Sequence, residues 1–161
     1  MKIIEYDRIS AINYAKKYAR SRNQKYYNFD KIGGDCTNFV SQCIYAGARV
    51  MNYTPITGWY YLSLNDRTAS WSGVEYLYKF LINNKGLGPF GKLTIQKNVD
   101  IGDVIELGRA SGEFYHSVIV SGIYNNNILV CSHTRDALDK PLNSYIFERA
   151  RYIKILGVRK N

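Results

Sequence analysis

The chain has 161 residues, enough for one hydrophobic core, and 46% hydrophobic with 22% charged residues is typical of a globular protein. Three cysteines and two histidines are too few for a disulfide framework or a structural zinc site, so we expect no metal or organic cofactor. We therefore expect a single domain over residues 1–161, acting as a monomer.

The first residues and the hydropathy pattern bear on location. No stretch is long and apolar enough to span a membrane. Glu5, Asp7 and Arg8 follow a very short apolar run at the start, which excludes a secretory signal peptide in this chain. The sequence alone leaves the compartment unassigned.

The net charge of +9 favours contact with polyanions, among them nucleic acids, anionic lipids and acidic wall polymers. The densest basic group reads mainly as the solvated face of a first helix; it comprises Lys16, Lys17, Arg20, Arg22 and Lys25. No RNA-binding signature accompanies this charge, so we do not expect a nucleic-acid partner.

Apolar spacing near 3.6 residues predicts a first helix over residues 7–21, followed by a loop over 21–34. A second helix is predicted to begin near Cys36, with Asp35 at the N-cap position and Gly47 near its end. Both helices lie in the first third of the chain.

A third helix is predicted after Ser72, which has capping-box spacing to Glu75, and Gly86 would stop it. Residues 51–71 show no clear periodicity and are interpreted as a long surface segment. Short segments rich in β-formers follow, at 93–95, 103–107, 115–121, 128–132 and 152–158. Helices followed by an antiparallel sheet predict an α+β fold.

Cys36 is the candidate nucleophile because it falls directly after Gly33-Gly34-Asp35 at a predicted helix start. Unpaired amides and the helix dipole would favour a thiolate there, and the glycines would permit a sharp turn. The alternative is a buried thiol without a chemical role. Cys43 and Cys131 are interpreted as small buried hydrophobic residues.

The candidate bases are His116, opening one predicted strand, and His133, closing the next. An even number of residues in the hairpin loop near Asn125-Asn126 would place both on one face of the sheet, and an odd number on opposite faces. One imidazole could then orient the other. Asp136 is an alternative orienter, and His133 could equally be an ordinary core or surface residue.

Residues 33–42, GGDCTNFVSQ, resemble the nucleophile motif of an amidase-domain family of Gram-positive bacteria. That family is similar to the NlpC-type and CHAP cell-wall hydrolases of the papain-like superfamily. The resemblance runs from about Tyr6 to about Leu156. Further matching segments are 22–23, 58–60, 70–74, 102–104, 116–120, and 132–134 with Asp136.

The resemblance implies a papain-like fold with Cys36 as nucleophile, His116 as base and His133 as third polar residue. The oxyanion would be bound by the Cys36 amide and by one group of the preceding loop, with candidates Asn23, Tyr26, Tyr27 and Asn28. Gln24 does not correspond in spacing to the glutamine of papain-like enzymes, so that role is not transferred.

The aromatic residues Trp59, Tyr60, Tyr61 and Trp71 either line a substrate groove or form a separate hydrophobic cluster. Asp103, between Gly102 and an apolar strand, is interpreted as capping a turn and not as catalytic.

The resemblance implies hydrolysis of an amide, as an amidase or endopeptidase, through a thioester. It suggests peptidoglycan stem peptides or other peptide amides as substrate, and a location at the cell wall, where anionic polymers could hold the protein. The alternatives are an acyltransferase or protein deamidase on the same fold, and a non-catalytic wall-binding module.

Overall fold

The computed structural model describes all 161 residues, and its four helices precede most of the sheet in the chain. They are α1 (Arg8–Tyr18), α2 (Cys36–Ala48), α3 (Ala69–Ser72) and α4 (Val74–Asn83). Short 3-10 helices cover Gln96–Asn98 and Leu142–Ser144. None of the helices has the length and apolar character that crossing a bilayer requires.

Seven of the nine strands form one antiparallel sheet. The strands are β1 (Lys2–Ile4), β2 (Tyr61–Ser63), β3 (Asp66–Arg67), β4 (Gly88–Thr94), β5 (Val104–Gly108), β6 (Phe114–Tyr124), β7 (Asn127–Ser132), β8 (Ala137–Pro141) and β9 (Arg149–Lys160). The order is β1-β9-β5-β6-β7-β8, with β4 also paired to β9, while β2 and β3 form a separate hairpin. The α+β prediction is confirmed.

Local sequence explains where the first two helices begin and end. The Asp7 side chain accepts a hydrogen bond from the Ser10 amide and caps α1. Helix α2 ends one residue after Gly47, and Arg49 then adopts a left-handed conformation. Both helices were predicted at nearly these bounds.

The helix predicted to follow Ser72 begins at Val74 as α4, but its predicted capping box is not formed. Ser72 ends the short helix α3, and Gly73 occupies the N-cap position of α4. The Ser72 hydroxyl accepts a hydrogen bond from Arg67 Nε, so it does not form a capping box with Glu75.

The two faces of the sheet carry different layers. One face packs against the helices in the main core, which includes Phe39, Ile119 and Cys131. The other face carries a smaller cluster of sheet and loop residues, including Leu107 and Val118. Alternate residues of β6 therefore point into different layers.

The segment over residues 51–71 is not the surface segment predicted from its irregular pattern. Trp59 and Trp71 are fully buried in the main core. Their indole N–H groups donate to Ser41 Oγ at 3.1 Å and Asn38 Oδ1 at 3.0 Å, both on α2. The hydrogen bonds to α2 make burial of these polar rings favourable.

The hairpin between β6 and β7 contains one extra residue. Its loop is Asn125-Asn126, with φ of 49° and 68°, which suits a two-residue turn. Val120 pairs with Val130 but Gly122 pairs with Leu129, so Ser121 forms a β-bulge in β6.

Candidate active site

Cys36 is the first residue of α2 and is 7% exposed. The backbone N–H groups of Cys36, Thr37 and Asn38 have no oxygen acceptor within the protein, as expected in the first turn of a helix. These donors lie at the positive end of the helix dipole, in the turn that carries the thiol.

The sulfur of Cys36 is linked to the central sheet through Thr37. Thr37 Oγ1 lies 3.8 Å from the sulfur and 3.0 Å from Ser117 Oγ on β6. Burial raises the pKa of the Cys36 thiol, and hydrogen bonding by Ser117 and Thr37 only partly opposes that effect. This direction is opposite to the lowering of the pKa that was expected from the helix terminus.

Asp35 occupies the N-cap position of α2 but makes no cap hydrogen bond. Its Oδ1 instead accepts from the Phe29 amide and from Asn38 Nδ2, each at 2.8 Å, and its Oδ2 lies 2.5 Å from His133 Nδ1. Asp35 thus ties the loop before the nucleophile to the end of β7, and leaves the helix amides free.

The glycine pair before Asp35 adopts the left-handed conformation that the sequence suggested, with φ of 79° at Gly33 and 97° at Gly34. A Cβ atom at Gly34 would lie 3.2 Å from Thr134 Oγ1. That hydroxyl also accepts a hydrogen bond from the Asp35 amide at 3.0 Å. The loop before Cys36 therefore packs closely on the turn between β7 and β8.

His116 lies on β6 directly opposite Leu107 and faces the smaller cluster, where its ring centroid is 6.0 Å from that of Tyr145. Burial and the nearby charge of Lys140 lower its pKa to about 4. Neither ring nitrogen has a hydrogen-bond partner in the protein. His116 is thus a neutral, uncommitted imidazole on the sheet face opposite the helices, next in sequence to Ser117, whose hydroxyl faces Thr37 on α2.

His133 lies on the other face, against the helices, where its ring stacks on Phe39 at 4.0 Å. Although the hairpin loop has an even number of residues, the bulge at Ser121 reverses the alternation of β6 relative to β7. The two histidines are therefore on opposite faces, and the interpretation of His133 as the residue that orients His116 is wrong.

Asp136, the alternative residue predicted to orient His116, does not do so either. Asp136 forms two hydrogen bonds with Arg22, at 2.9 and 3.0 Å, and none with His116. Arg22 also pairs with Asp30 at 2.9 Å, which fastens the loop before the nucleophile to the β7–β8 turn. These acidic groups organise the loop and do not contact the candidate base.

The predicted oxyanion groups serve the loop itself. Asn23 Nδ2 donates to the Tyr14 hydroxyl, and Tyr26 stacks on Trp71. The Tyr27 amide donates to the Tyr61 hydroxyl at 2.7 Å. Among the predicted groups, the Cys36 amide has no oxygen acceptor within the protein and remains available to an oxyanion.

The aromatic residues predicted for the groove divide into two sets. Trp59 and Trp71 belong to the core, whereas Tyr60 is half-buried and donates its hydroxyl to Asp66. A cleft of about 610 Å³ lies beside them, lined by residues 22–28 and 61–64. Part of the loop before the nucleophile thus forms one wall of this cleft.

Asp103 is fully buried, and its Oδ2 accepts the Asp100 amide at 2.8 Å, which confirms its interpretation as a turn-capping residue. It also pairs with Arg8 at 2.7 Å.

Sequence reasoning missed three polar residues beside the sulfur: Thr37, Ser117 and Glu106. Each is at most 1% exposed, and they form a continuous series of contacts from α2 to β5. The only sequence signal was a glutamate within the apolar run of β5.

Comparison with known proteins gives the family of the chain. The family model described as "Putative amidase domain" matches residues 5–156. The chain belongs to this family. Membership indicates, at a coarse level, a hydrolase of amide bonds.

Two curated relatives come from Bacillus subtilis (strain 168) and are described as uncharacterized proteins. YhbB is 32% identical over 137 residues, covering 83% of this chain and 43% of the relative. YjcM is 30% identical over 146 residues, covering 84% of this chain and 32% of the relative. The chain thus spans less than half the length of either relative. No solved structure matches it.

Proposed function

We propose that this protein is a cysteine-dependent amide hydrolase of papain-like architecture, with Cys36 as nucleophile and His116 as base. One observation carries the proposal: the Cys36 sulfur lies at the start of α2, 3.8 Å from Thr37 Oγ1, which lies 3.0 Å from Ser117 Oγ, in the residue after His116. A thiol, an imidazole and oxyanion donors are the parts that acyl transfer requires.

The raised pKa of Cys36 favours a mechanism in which the proton leaves the sulfur during attack. His116 is neutral above about pH 4, and both its nitrogens are free, so its imidazole has the protonation state that a general base requires. The sulfur bonds to the carbonyl carbon, and the first-turn amides of α2 stabilise the oxyanion. His116 then protonates the leaving amine, and water hydrolyses the thioester.

We propose peptidoglycan stem peptides as the substrate class, cut by amidase or endopeptidase action. The net charge of +9 suits a protein that works among anionic wall polymers. The cleft lined by residues 22–28 and 61–64 supplies several tyrosines beside the loop before Cys36, where a peptide could lie.

The test is mass spectrometry of muropeptides incubated with the wild type, Cys36→Ala and Cys43→Ala. Cys43 is a matched control because it lies on the same helix and is fully buried in the core. We expect cleavage by the wild type and Cys43→Ala, and none by a folded Cys36→Ala. Normal turnover by Cys36→Ala would exclude Cys36 as the nucleophile.

A further inference from the structure

A continuous series of buried side chains leads from the candidate nucleophile to a carboxyl group. Cys36 Sγ lies 3.8 Å from Thr37 Oγ1, which lies 3.0 Å from Ser117 Oγ. Ser117 Oγ lies 3.1 Å from Glu106 Oε2. The hydrolysis proposed above uses none of the last three side chains.

The charge on Glu106 fixes the direction of every hydrogen bond in this series. An ionised carboxylate only accepts, so Ser117 donates to it; Ser117 then accepts from Thr37, and Thr37 accepts from the thiol of Cys36. This arrangement holds a hydrogen on the sulfur and turns the Thr37 hydroxyl away from donating to it. An ionised Glu106 therefore favours the thiol.

A proton on Glu106 permits the opposite direction. The carboxylic acid donates to Ser117, Ser117 to Thr37, and Thr37 to a Cys36 thiolate. In passing between the two arrangements the S–H bond breaks, one O–H bond forms on Glu106, and each hydroxyl hands on one hydrogen. The net charge does not change.

We propose that Glu106 is a positioning residue that shares one proton with Cys36 through Ser117 and Thr37, and that its ionised form restrains the nucleophile as a thiol. The inference rests on the proposed function, because it concerns the same sulfur. It extends that function to a carboxyl group on β5.

The surroundings of Glu106 allow it to change charge near neutral pH. Burial raises its pKa to about 7, against the opposing effects of Arg151 and Ser117. Arg151 from β9 contacts Glu106 Oε1 at 2.7 Å, and Glu75 from α4 contacts Arg151 at 2.8 Å. The negative charge of Glu106 in turn raises the pKa of Cys36.

The first test measures the pH dependence of Cys36 alkylation by iodoacetamide in the wild type and in Glu106→Gln. Tandem mass spectrometry of the tryptic peptide 32–49 distinguishes Cys36 from Cys43. We expect the pH midpoint of Cys36 alkylation to fall by about one unit in Glu106→Gln, because the negative charge that disfavours the thiolate has been removed. An unchanged midpoint would overturn the proposal.

The second test examines the hydroxyl series. Ser117→Ala frees the Thr37 hydroxyl to donate to the sulfur, so it should also lower the midpoint. In the Glu106→Gln background it should add little, because no carboxylate then directs the series. Additive shifts, or no shift in Ser117→Ala, would show that Glu106 acts through space alone and would refute the shared proton.

Ser121→Ala is the matched control. Ser121 lies on the same strand, is 2% exposed, and donates its hydroxyl to Asp139 at 2.7 Å, outside the series. The pH midpoint of Cys36 alkylation in Ser121→Ala should equal that of the wild type. Alkylation needs no substrate, so failure here would leave the hydrolysis proposal intact, and absence of hydrolysis would leave the alkylation result intact.

Discussion

His133 Nδ1 lies 2.5 Å from Oδ2 of Asp35, the residue directly before the candidate nucleophile. The other ring nitrogen, Nε2, lies 2.7 Å from the carbonyl oxygen of Tyr18. Arg22 Nη1 also lies 3.2 Å from Nε2. His133 thus joins Asp35 to the end of α1 and fixes the loop before Cys36.

Removal of either side chain should leave Oδ2 of Asp35 or Nδ1 of His133 buried without its hydrogen-bond partner. We expect Asp35→Ala and His133→Ala each to lower the free energy of unfolding by about 3–5 kcal/mol. Urea unfolding at pH 7 measures this. In the double variant the loss should be smaller than the sum of the two; a fully additive loss would mean that the two side chains do not interact.

The interaction between Asp35 and His133 should also make the free energy of unfolding depend on pH in the acidic range. Burial opposes ionisation of Asp35, but hydrogen bonds from His133, Phe29 and Asn38 outweigh it and hold the pKa of Asp35 below its ordinary value. Its stabilisation is therefore present above the unfolded pKa of about 3.9 and is lost as pH falls through the lower folded pKa. Urea unfolding of Asp35→Asn at pH 6 and pH 3 should show a smaller acid loss than the wild type; equal losses would contradict this.

The candidate base should titrate at unusually low pH. Because burial and Lys140 lower the pKa of His116 to about 4, kcat/KM should rise with pH through a midpoint near 4. Lys140→Gln removes one lowering charge and should move the midpoint upward. A midpoint near 6.5 that does not respond to Lys140 would contradict the assignment of His116 as base.

The two buried tryptophans provide a matched pair. Trp71→Phe and Trp59→Phe each remove an indole donor from a buried acceptor on α2, so each should cost about 1–3 kcal/mol of stability. Only the acceptor of Trp71, Asn38, also holds the loop, through Tyr27 O at 2.9 Å and Asp35 Oδ1 at 2.8 Å. Trp71→Phe alone should therefore also lower kcat, measured with the muropeptide substrate at a temperature where both variants are folded.

Cys43 is fully buried between the helices and the sheet. Cys43→Ala removes one buried heavy atom and should lower the free energy of unfolding by about 1–2 kcal/mol, measured by urea unfolding. Turnover should be unchanged. A loss of turnover in a folded Cys43→Ala protein would assign the second thiol of α2 a role in the reaction.

Local sequence predicted the elements whose signals are themselves local. Helix α1 has its cap at Asp7, and α2 has its apolar spacing and the turn after Gly47. The segment 51–71 could not be predicted, because Trp59 becomes a core residue through tertiary contacts, among them its hydrogen bond to Ser41 on α2 and its packing on Phe80 of α4.

In the candidate site, too, local signals were predictable and contacts between distant parts of the chain were not. The position of Cys36 at a helix start follows from the glycines before it. The role of His133 does not, because its partner Asp35 is 98 residues away in the chain. Glu106 was missed because its burial depends on Arg151, 45 residues further on.

The extra residue at Ser121 decides which side chains of β6 lie beside Cys36. Straightening the bulge with the turn and the length of β6 unchanged would bring Val118 opposite His133: Ser117 would leave the helix layer, and His116 would enter it. The side chains that β6 presents to the sulfur therefore depend on the strand register that this one bulge sets.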